Sequence, residues 1–466
     1  MTTSLSFTDV ELRAAIAALT ELLGDHVSTE LAERERHANG QAHHRAAAPD
    51  VVCFPRSTDE VSEVLKISAR YGLPVIAFGA GSSLEGQVNA LHGGITINMR
   101  EMKRILRTSA EDLDATVEAG VTRLELGRAL SGTGTTFFVD PGADATIGGM
   151  ASTRASGSTT VRYGTMRENV LGLTVVLADG RVIRTGSRAR KSAAGYDLTH
   201  LFVGAEGTLG VITEVTVRLQ VVPRAISAAV CAFASVKDAV RAAIEAIQRG
   251  VPVARVEFLD ELQIDACNRY SGTGLRVLPT LFFEFHGLSE RDVAEQAEVV
   301  GEIAEGRGGL GFAWKSSAEE RAALWKARHD AYWAAQSLRA GARIWITDAC
   351  VPISALAACI EETKREMAGL SFPATLAGHV GDGNFHVFCV LDPESAAERA
   401  EAEQFAEGIA RRAQRAGGTC TGEHGIGFGK LKHLAGEHGE ALEVLRMVKR
   451  AFDPENRMNP GKMLPA

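Results

Sequence analysis

The residues best equipped for chemistry lie in two short stretches, HVGDGNFH (His379 to His386) and GGTCTGEHGIG (Gly417 to Gly427). ATLAG before the first and FHVFCVL overlapping its end both read as strands. Asp382-Gly383 between them is a hairpin signal, because a type I′ turn needs positive φ at both central residues. With those two as the loop, the expected pairs are Gly381 with Asn384, Val380 with Phe385, and His379 with His386. Directly opposed residues on one sheet face have Cβ atoms about 5 Å apart. That spacing suits two imidazoles closing on one metal ion. The second stretch adds Glu423 and His424 on a glycine-rich loop. The reading is a metal site of His379, His386 and Glu423, with His424 beside it as a proton-transfer group. On spacing alone, two unrelated histidines remain the competing reading.

The elements that must hold these groups follow from pattern. Residues 8 to 24 have helical spacing, and a polar stretch runs from His37 to Asp50. The chain then alternates: strand VVCFP, a helix from Asp59 to Tyr71, and the buried strand PVIAF, which runs into GAGSSLEGQ. Gly79-x-Gly81 after a strand imitates a dinucleotide fingerprint, but Leu84 stands at its third glycine and the following residues cannot open a long helix. The alternative use of such a loop is a nest of backbone N–H groups around a pyrophosphate. A tract of glycine and small residues from Val139 to Val170 has too few large apolar side chains for a core of its own. So long a loop inside a domain usually serves function, here by wrapping a large flat ligand. A hairpin turns at Asp179-Gly180, and another glycine loop opens Leu201 to Leu219. At Pro223 the pattern changes to strands alternating with helices, among them one from Ala318 to Gln336 that carries Arg328, His329 and Tyr332 near one face. The expected division is a helical segment 1–44, a domain 45–222, a second domain 223–430, and a closing helix and tail 431–466.

Composition narrows the class. The chain has 466 residues, 45% apolar and 23% charged, with net charge −8 and no basic block. That predicts a soluble protein of about two to four domains and argues against nucleic acid as a partner. Seven cysteines lack any CxxC pair, so neither a zinc ribbon nor a disulfide scaffold is expected. The first residues lack a basic start and apolar core, and carry acids early, so no leader peptide is expected. No run approaches the roughly 18 apolar residues of a membrane span. The expected location is the cytoplasm, with peripheral contact at the inner membrane left open.

PVIAFGAGSSLEG, DPGADATIGGMASTRASGSTTVRYGTMRENV and FVGAEGTLGVITEV resemble the flavoproteins of the vanillyl-alcohol-oxidase type. GHVGDGNFH, GTCTGEHGIG and FDPENRMNPGKML resemble the branch holding D-lactate dehydrogenases, the glycolate oxidase flavin subunit and D-2-hydroxyglutarate dehydrogenase. VARVEFLDELQIDACNRYS is similar to the animal-type D-lactate dehydrogenases. The resemblance runs from about residue 45 to the end. It implies an α+β fold: a two-part FAD-binding domain plus a C-terminal cap with a ferredoxin-like antiparallel sheet. It places Gly79, Ala80, Gly81, Ser82, Ser83 and Leu84 at the pyrophosphate. Pro141, Gly142, Thr146, Ile147, Gly148 and Gly149 fall beside the isoalloxazine and ribityl chain. Ala151, Gly157, Val161, Glu206, Gly207, Val211 and Ile212 fall on the adenine and ribose side. Some relatives attach flavin to a histidine in the first loop; Ser82 and Ser83 stand there here, so non-covalent FAD is expected.

The resemblance makes His379, His386 and Glu423 ligands of zinc or manganese, and Arg328 the clamp on a substrate carboxylate. Dicarboxylate-specific relatives carry a lysine two residues before the aspartate of WITD. Ile346 occupies that position, which favours a monocarboxylate such as D-lactate. The implied activity is FAD-dependent oxidation of a D-2-hydroxy acid, with hydride to flavin N5 and His424 taking the hydroxyl proton. A cytochrome, quinone or electron-transfer flavoprotein would accept the electrons. Use of O₂, a glycolate oxidase or hydroxyglutarate activity, and a homodimer are the alternatives left open.

Overall fold

The computed structural model describes residues 7–465; the first six residues, where the expected segment 1–44 begins, and Ala466 lie outside the described residues. Its contacts divide the chain into two compact units. The first holds residues up to Ser156, Gly164–Val222 and the chain from Glu423 on; the second holds Gly157–Tyr163 and Pro223–Gly422. The dividing point before the last segment is thus 422/423 rather than 430/431. The reason is local: in the first unit Ile426 N and Gly427 N donate to the Glu206 carboxylate, and Phe428 N donates to Glu85 O.

In the first unit a four-stranded sheet runs Val27–Ser28, Val51–Cys53, Ile95–Asn98, Val75–Phe78, the last three parallel. Helix Thr58–Tyr71 joins two of them, capped by Ser57 and closed by left-handed Gly72. No helix follows Gly79 before strand Ile95–Asn98, as the rejection of the dinucleotide fingerprint requires. A five-stranded antiparallel sheet carries Ile105–Ser109, Asp114–Glu118, Val211–Arg218, Val170–Val176 and Val182–Gly186. The small-residue tract is not structureless. It forms helices Ile147–Thr153, Thr160–Tyr163 and Met166–Asn169. Gly148 shows why small residues are needed: a Cβ there would lie 2.5 Å from Ala119 Cβ and 2.8 Å from its carbonyl.

The second unit is built on an eight-stranded antiparallel sheet. Its first four strands, Ala225–Phe233, Val253–Leu259, Thr280–Gly287 and Gly309–Lys315, lie in the spatial order four-one-three-two of a ferredoxin-like βαββαβ unit. Ala374–His379, Asn384–Leu391 and Arg343–Ile346 extend it beyond Val253–Leu259, and Ala349–Cys350 pairs with Asn384–Leu391. One face packs on helices Val236–Gln248, Glu290–Gly306, Ile353–Met367 and Ala396–Arg415. Ser235, Ser289 and Ser395 cap three of these through their hydroxyls. The other face packs on Glu261–Ser271, Ala318–His329 and Ala331–Gln336. The single helix expected over 318–336 is therefore two. Asp330 closes the first and turns its carboxylate sideways to accept from Ser271 Oγ at 2.6 Å.

The hairpin register also differs from expectation. His379 pairs with Asn384, Gly378 with Phe385, and Ala377 with His386. Gly383 has φ +80°, but Asp382 does not adopt positive φ, so the turn is not type I′. The loop is four residues, Val380 to Gly383, closed by Asp382 N donating to His379 O at 2.9 Å. Gly383 is pulled away from the hairpin, its carbonyl accepting from Val351 N at 3.0 Å. His379 and His386 are diagonal rather than opposed, yet the period of two keeps them on one face.

Candidate active site

In the second unit the functional face is the one covered by the Arg328 helix. Leu259 pairs with Ala377, and both belong to the core under that helix. Glu257 and His379, each two residues along, project from the same face. Glu257 is fully buried, and its two oxygens are divided between two groups. His379 Nδ1 lies 2.6 Å from Oε1, and Arg328 Nε donates to Oε2 at 2.6 Å. Burial alone would raise the Glu257 carboxyl, but His379 and Arg328 hold it below the usual glutamate value. Arg328 is thus no surface arginine. Its Nε is engaged, leaving the two Nη groups for a second acceptor.

His386 Nδ1 faces the Thr347 carbonyl at 3.1 Å. A carbonyl only accepts, so Nδ1 carries the proton and Nε2 holds the lone pair. The same logic puts the His379 lone pair on Nε2, opposite Glu257. The two rings have centroids 5.5 Å apart, and a nitrogen of each lies within 4.8 Å of the other. Orientation of ligand histidines through Nδ1–H to a carboxylate or carbonyl is the usual support of a metal centre, so this donor pair fits a divalent ion. Asp348 adds charge nearby: its Oδ1 is 3.7 Å from His386 Nδ1 and accepts from Asn384 Nδ2 at 2.7 Å, while Oδ2 accepts from Thr421 Oγ1 at 2.8 Å.

The first unit holds a cleft of about 960 Å³, open solvent at its mouth included. Gly79, Ala80, Gly81, Ser82, Ser83, Leu84, Pro141, Thr146, Gly149, Glu206 and Gly207 line it, together with Glu423 and His424. Gly142, Ile147, Gly148, Ala151, Gly157, Val161, Val211 and Ile212 are not among its lining residues. Gly157 and Val161 belong to the other unit, where Val161 packs against Gly381. The glycine loop and small walls suit a flat dinucleotide, as a backbone nest does for its phosphates.

Glu206 has φ +52°, rare outside glycine. Its oxygens accept from Ile426 N at 2.7 Å and Gly427 N at 2.8 Å. Gln87 Nε2 donates to His424 O at 2.7 Å, and Ser156 Oγ donates to Glu423 Oε2 at 2.7 Å. The Glu423–His424 loop is therefore pinned by backbone and side chain alike. Glu257, Asp348, Gln87 and Ser156 were missed from sequence. The available signal was weak: a glutamate flanked by Val256 and Phe258 in VARVEFLD, and a glutamine ending a glycine loop.

Family models match two parts of the chain: "FAD binding domain" over residues 49–186, and "FAD linked oxidases, C-terminal domain" over 222–463. A probable mitochondrial D-lactate dehydrogenase of Danio rerio is 51% identical, over 96% of this chain and 91% of its own. A mitochondrial D-lactate dehydrogenase [cytochrome] of Arabidopsis thaliana is 47% identical, over 97% and 80%. Glycolate oxidase subunit GlcD of Bacillus subtilis is 34% identical, over 89% of each. Among solved structures, a p-cresol methylhydroxylase with substrate bound superposes with TM-score 0.81 at 19% identity, over 98% and 97%. The chain belongs to the FAD-linked oxidases, the vanillyl-alcohol-oxidase type of FAD flavoprotein. Among the described residues, no helix is long and apolar enough to cross a membrane.

Proposed function

We propose that this protein oxidises a D-2-hydroxy monocarboxylic acid, D-lactate first among candidates, to the 2-oxo acid. The carrying observation is the shared Glu257 carboxylate, which holds an arginine and a metal-type histidine side by side on one sheet face. The names of the relatives support the substrate class. Ile346, where dicarboxylate enzymes carry lysine, supports a monocarboxylate and weighs against hydroxyglutarate.

In this reading Arg328 binds the substrate carboxylate through parallel N–H groups and fixes how C2–H is presented. His379, His386 and Glu423 are the residues that would hold zinc or manganese, and His424 takes the hydroxyl proton. When bound, the metal supplies Lewis acidity at the hydroxyl and the flavin supplies a hydride acceptor at N5. FAD is held without a covalent link by the Gly79–Leu84 loop and the rest of the cleft wall. The electron acceptor proposed is a cytochrome, as in the name of the Arabidopsis thaliana relative, with a quinone or electron-transfer flavoprotein as substitutes. A cytoplasmic location goes with this reading, although the relatives' names carry "mitochondrial".

The test is a panel of D- and L-2-hydroxy acids, following flavin bleaching without oxygen. Fastest bleaching by D-lactate is expected; preference for an L-acid or for hydroxyglutarate would overturn the assignment. The similarity to a glycolate oxidase subunit favours one second reading, a flavin subunit of a larger complex. Turnover of the pure single chain with an artificial dye would exclude it.

A further inference from the structure

We propose that Glu257 is a positioning residue that sets the substrate clamp and the metal-type histidine together, through one oxygen each. The inference rests on the functional reading above, since it needs a carboxylate for Arg328 and a cation for His379.

The argument is geometric. Glu257 sits in strand Val253–Leu259 with no solvent access, so its carboxylate depends on its protein partners. Arg328 arrives from helix Ala318–His329 and His379 ends strand Ala374–His379, so elements distant in sequence meet on one carboxylate. Both partners donate: Arg328 has donors only, and His379 offers Nδ1–H when its Nε2 is to be a ligand. A carboxylate is the one side-chain group that offers each of them an acceptor oxygen of its own. A glutamine of the same shape cannot. If its oxygen faces Arg328, its NH₂ meets His379 Nδ1, which must then accept, moving the imidazole proton onto Nε2 and removing the ligand lone pair. If the oxygen faces His379 instead, NH₂ opposes the Arg328 Nε–H and the guanidinium is displaced. Glu257→Gln therefore breaks one function or the other by tautomer or by repulsion, without removing any atom that touches substrate or metal.

The experiment compares wild type, Glu257→Gln and Glu257→Asp as purified flavoproteins. Two affinities are read without turnover: manganese or zinc by competition with a chromophoric chelator, and pyruvate by its perturbation of the flavin spectrum in metal-stripped protein. FAD content and far-UV circular dichroism control for folding. Glu257→Gln is expected to lose one of the two affinities according to which way its amide faces: metal binding by about 10- to 100-fold, the usual loss when a histidine's outer partner is removed, or pyruvate binding by about tenfold through the displaced Arg328. Glu257→Asp keeps the charge but is one methylene too short to reach both partners, so it is expected to keep at most one of the two affinities at the wild-type level. Both affinities of Glu257→Gln within twofold of wild type overturn the proposal, and so does Glu257→Asp keeping both at the wild-type level. Failure of both variants to fold with FAD would mean the bridge is purely structural and would overturn it too. The wild-type arm tests the functional reading separately. If wild type takes up no divalent metal, that half of the reading fails while pyruvate binding still decides the Arg328 side of Glu257. If wild type binds neither ligand, both ideas fail.

Discussion

Substituting Arg328 separates the duty it shows, holding Glu257, from the one proposed for it, holding the substrate carboxylate. In Arg328→Ala, Glu257 stays buried and keeps only His379. Removing one partner of a buried pair costs about 3–5 kcal/mol. Arg328 is about one-fifth exposed at its side chain, so water can enter its place, and the lower end, about 3 kcal/mol, is expected. In Arg328→Lys, the ammonium can reach Glu257 or the substrate but cannot present the parallel N–H pair. Its stability loss should stay near 1 kcal/mol. Both variants lose charged hydrogen bonds to the substrate, each worth about 1.5–3 kcal/mol. That predicts a drop of at least ~100-fold in kcat/KM, about 2.7 kcal/mol. Stability is read by urea unfolding followed by tryptophan fluorescence; Trp325 lies buried on the same helix and reports locally. Activity is read as anaerobic flavin reduction by D-lactate. If Arg328→Lys keeps kcat/KM within threefold of wild type, Arg328 does not hold the carboxylate. If Arg328→Ala unfolds at the wild-type urea concentration, Glu257 does not depend on it.

Other consequences are open to direct measurement. His386→Ala and Glu423→Ala should lose metal and activity together, whereas His424→Ala should keep its metal and reduce flavin about 10²- to 10⁴-fold more slowly; metal per flavin and the anaerobic reduction rate decide, and full-speed reduction by verified metal-free wild type would refute the metal's part. FAD should leave with acid or heat denaturation, because Ser82 and Ser83 offer no attachment; flavin in the precipitated polypeptide would contradict this. Burial pushes the Asp260 carboxyl up to about 6 from an ordinary 3.8, Lys364 acting against it. Between those values the folded state holds a proton that the unfolded state releases, so this group's contribution to stability falls as pH rises from about 4 to about 6. Over roughly two pH units this amounts to ~3 kcal/mol, and Asp260→Asn should gain on wild type by about that much across the window. Equal pH slopes in the unfolding free energies of the two proteins would refute it.

How much of this was legible in the sequence can be argued residue by residue. The glycine loop after Val75–Phe78, the Asp179-Gly180 hairpin and the change of pattern at Pro223 are local signals, and each marks a real feature of the chain. The face shared by His379 and His386 was legible for the same reason, since period two survives a change of loop length. The pairing was not: a hairpin moves by two residues when a loop carbonyl is recruited from outside, and Val351 lies some thirty positions away. The break between helices at Asp330 was not legible either, and its carboxylate joins a local partner, Lys326, to a remote one, Ser271. Glu257 was illegible because a strand pattern shows that a carboxylate is buried without showing what neutralises it. Buried charge is resolved by tertiary partners, and no spacing rule names them.

Two buried glutamates, one in each unit, show how the chain allots charge. Glu257 and Glu206 both give each oxygen a donor at hydrogen-bond distance. They differ in what donates. Glu206 accepts from the neutral backbone of Ile426 and Gly427, and burial pushes it up to about 7 despite those bonds. Glu257 is at least as buried but faces Arg328 and His379, and stays below the usual range. Neutral donors offset part of a desolvation cost; opposite charges reverse it. The carboxylate form is thus favoured where an arginine and a histidine meet on Glu257, and disfavoured where Glu206 meets only backbone donors and a glutamine. Glu206 holds the backbone just after Glu423 and His424, at Ile426 and Gly427.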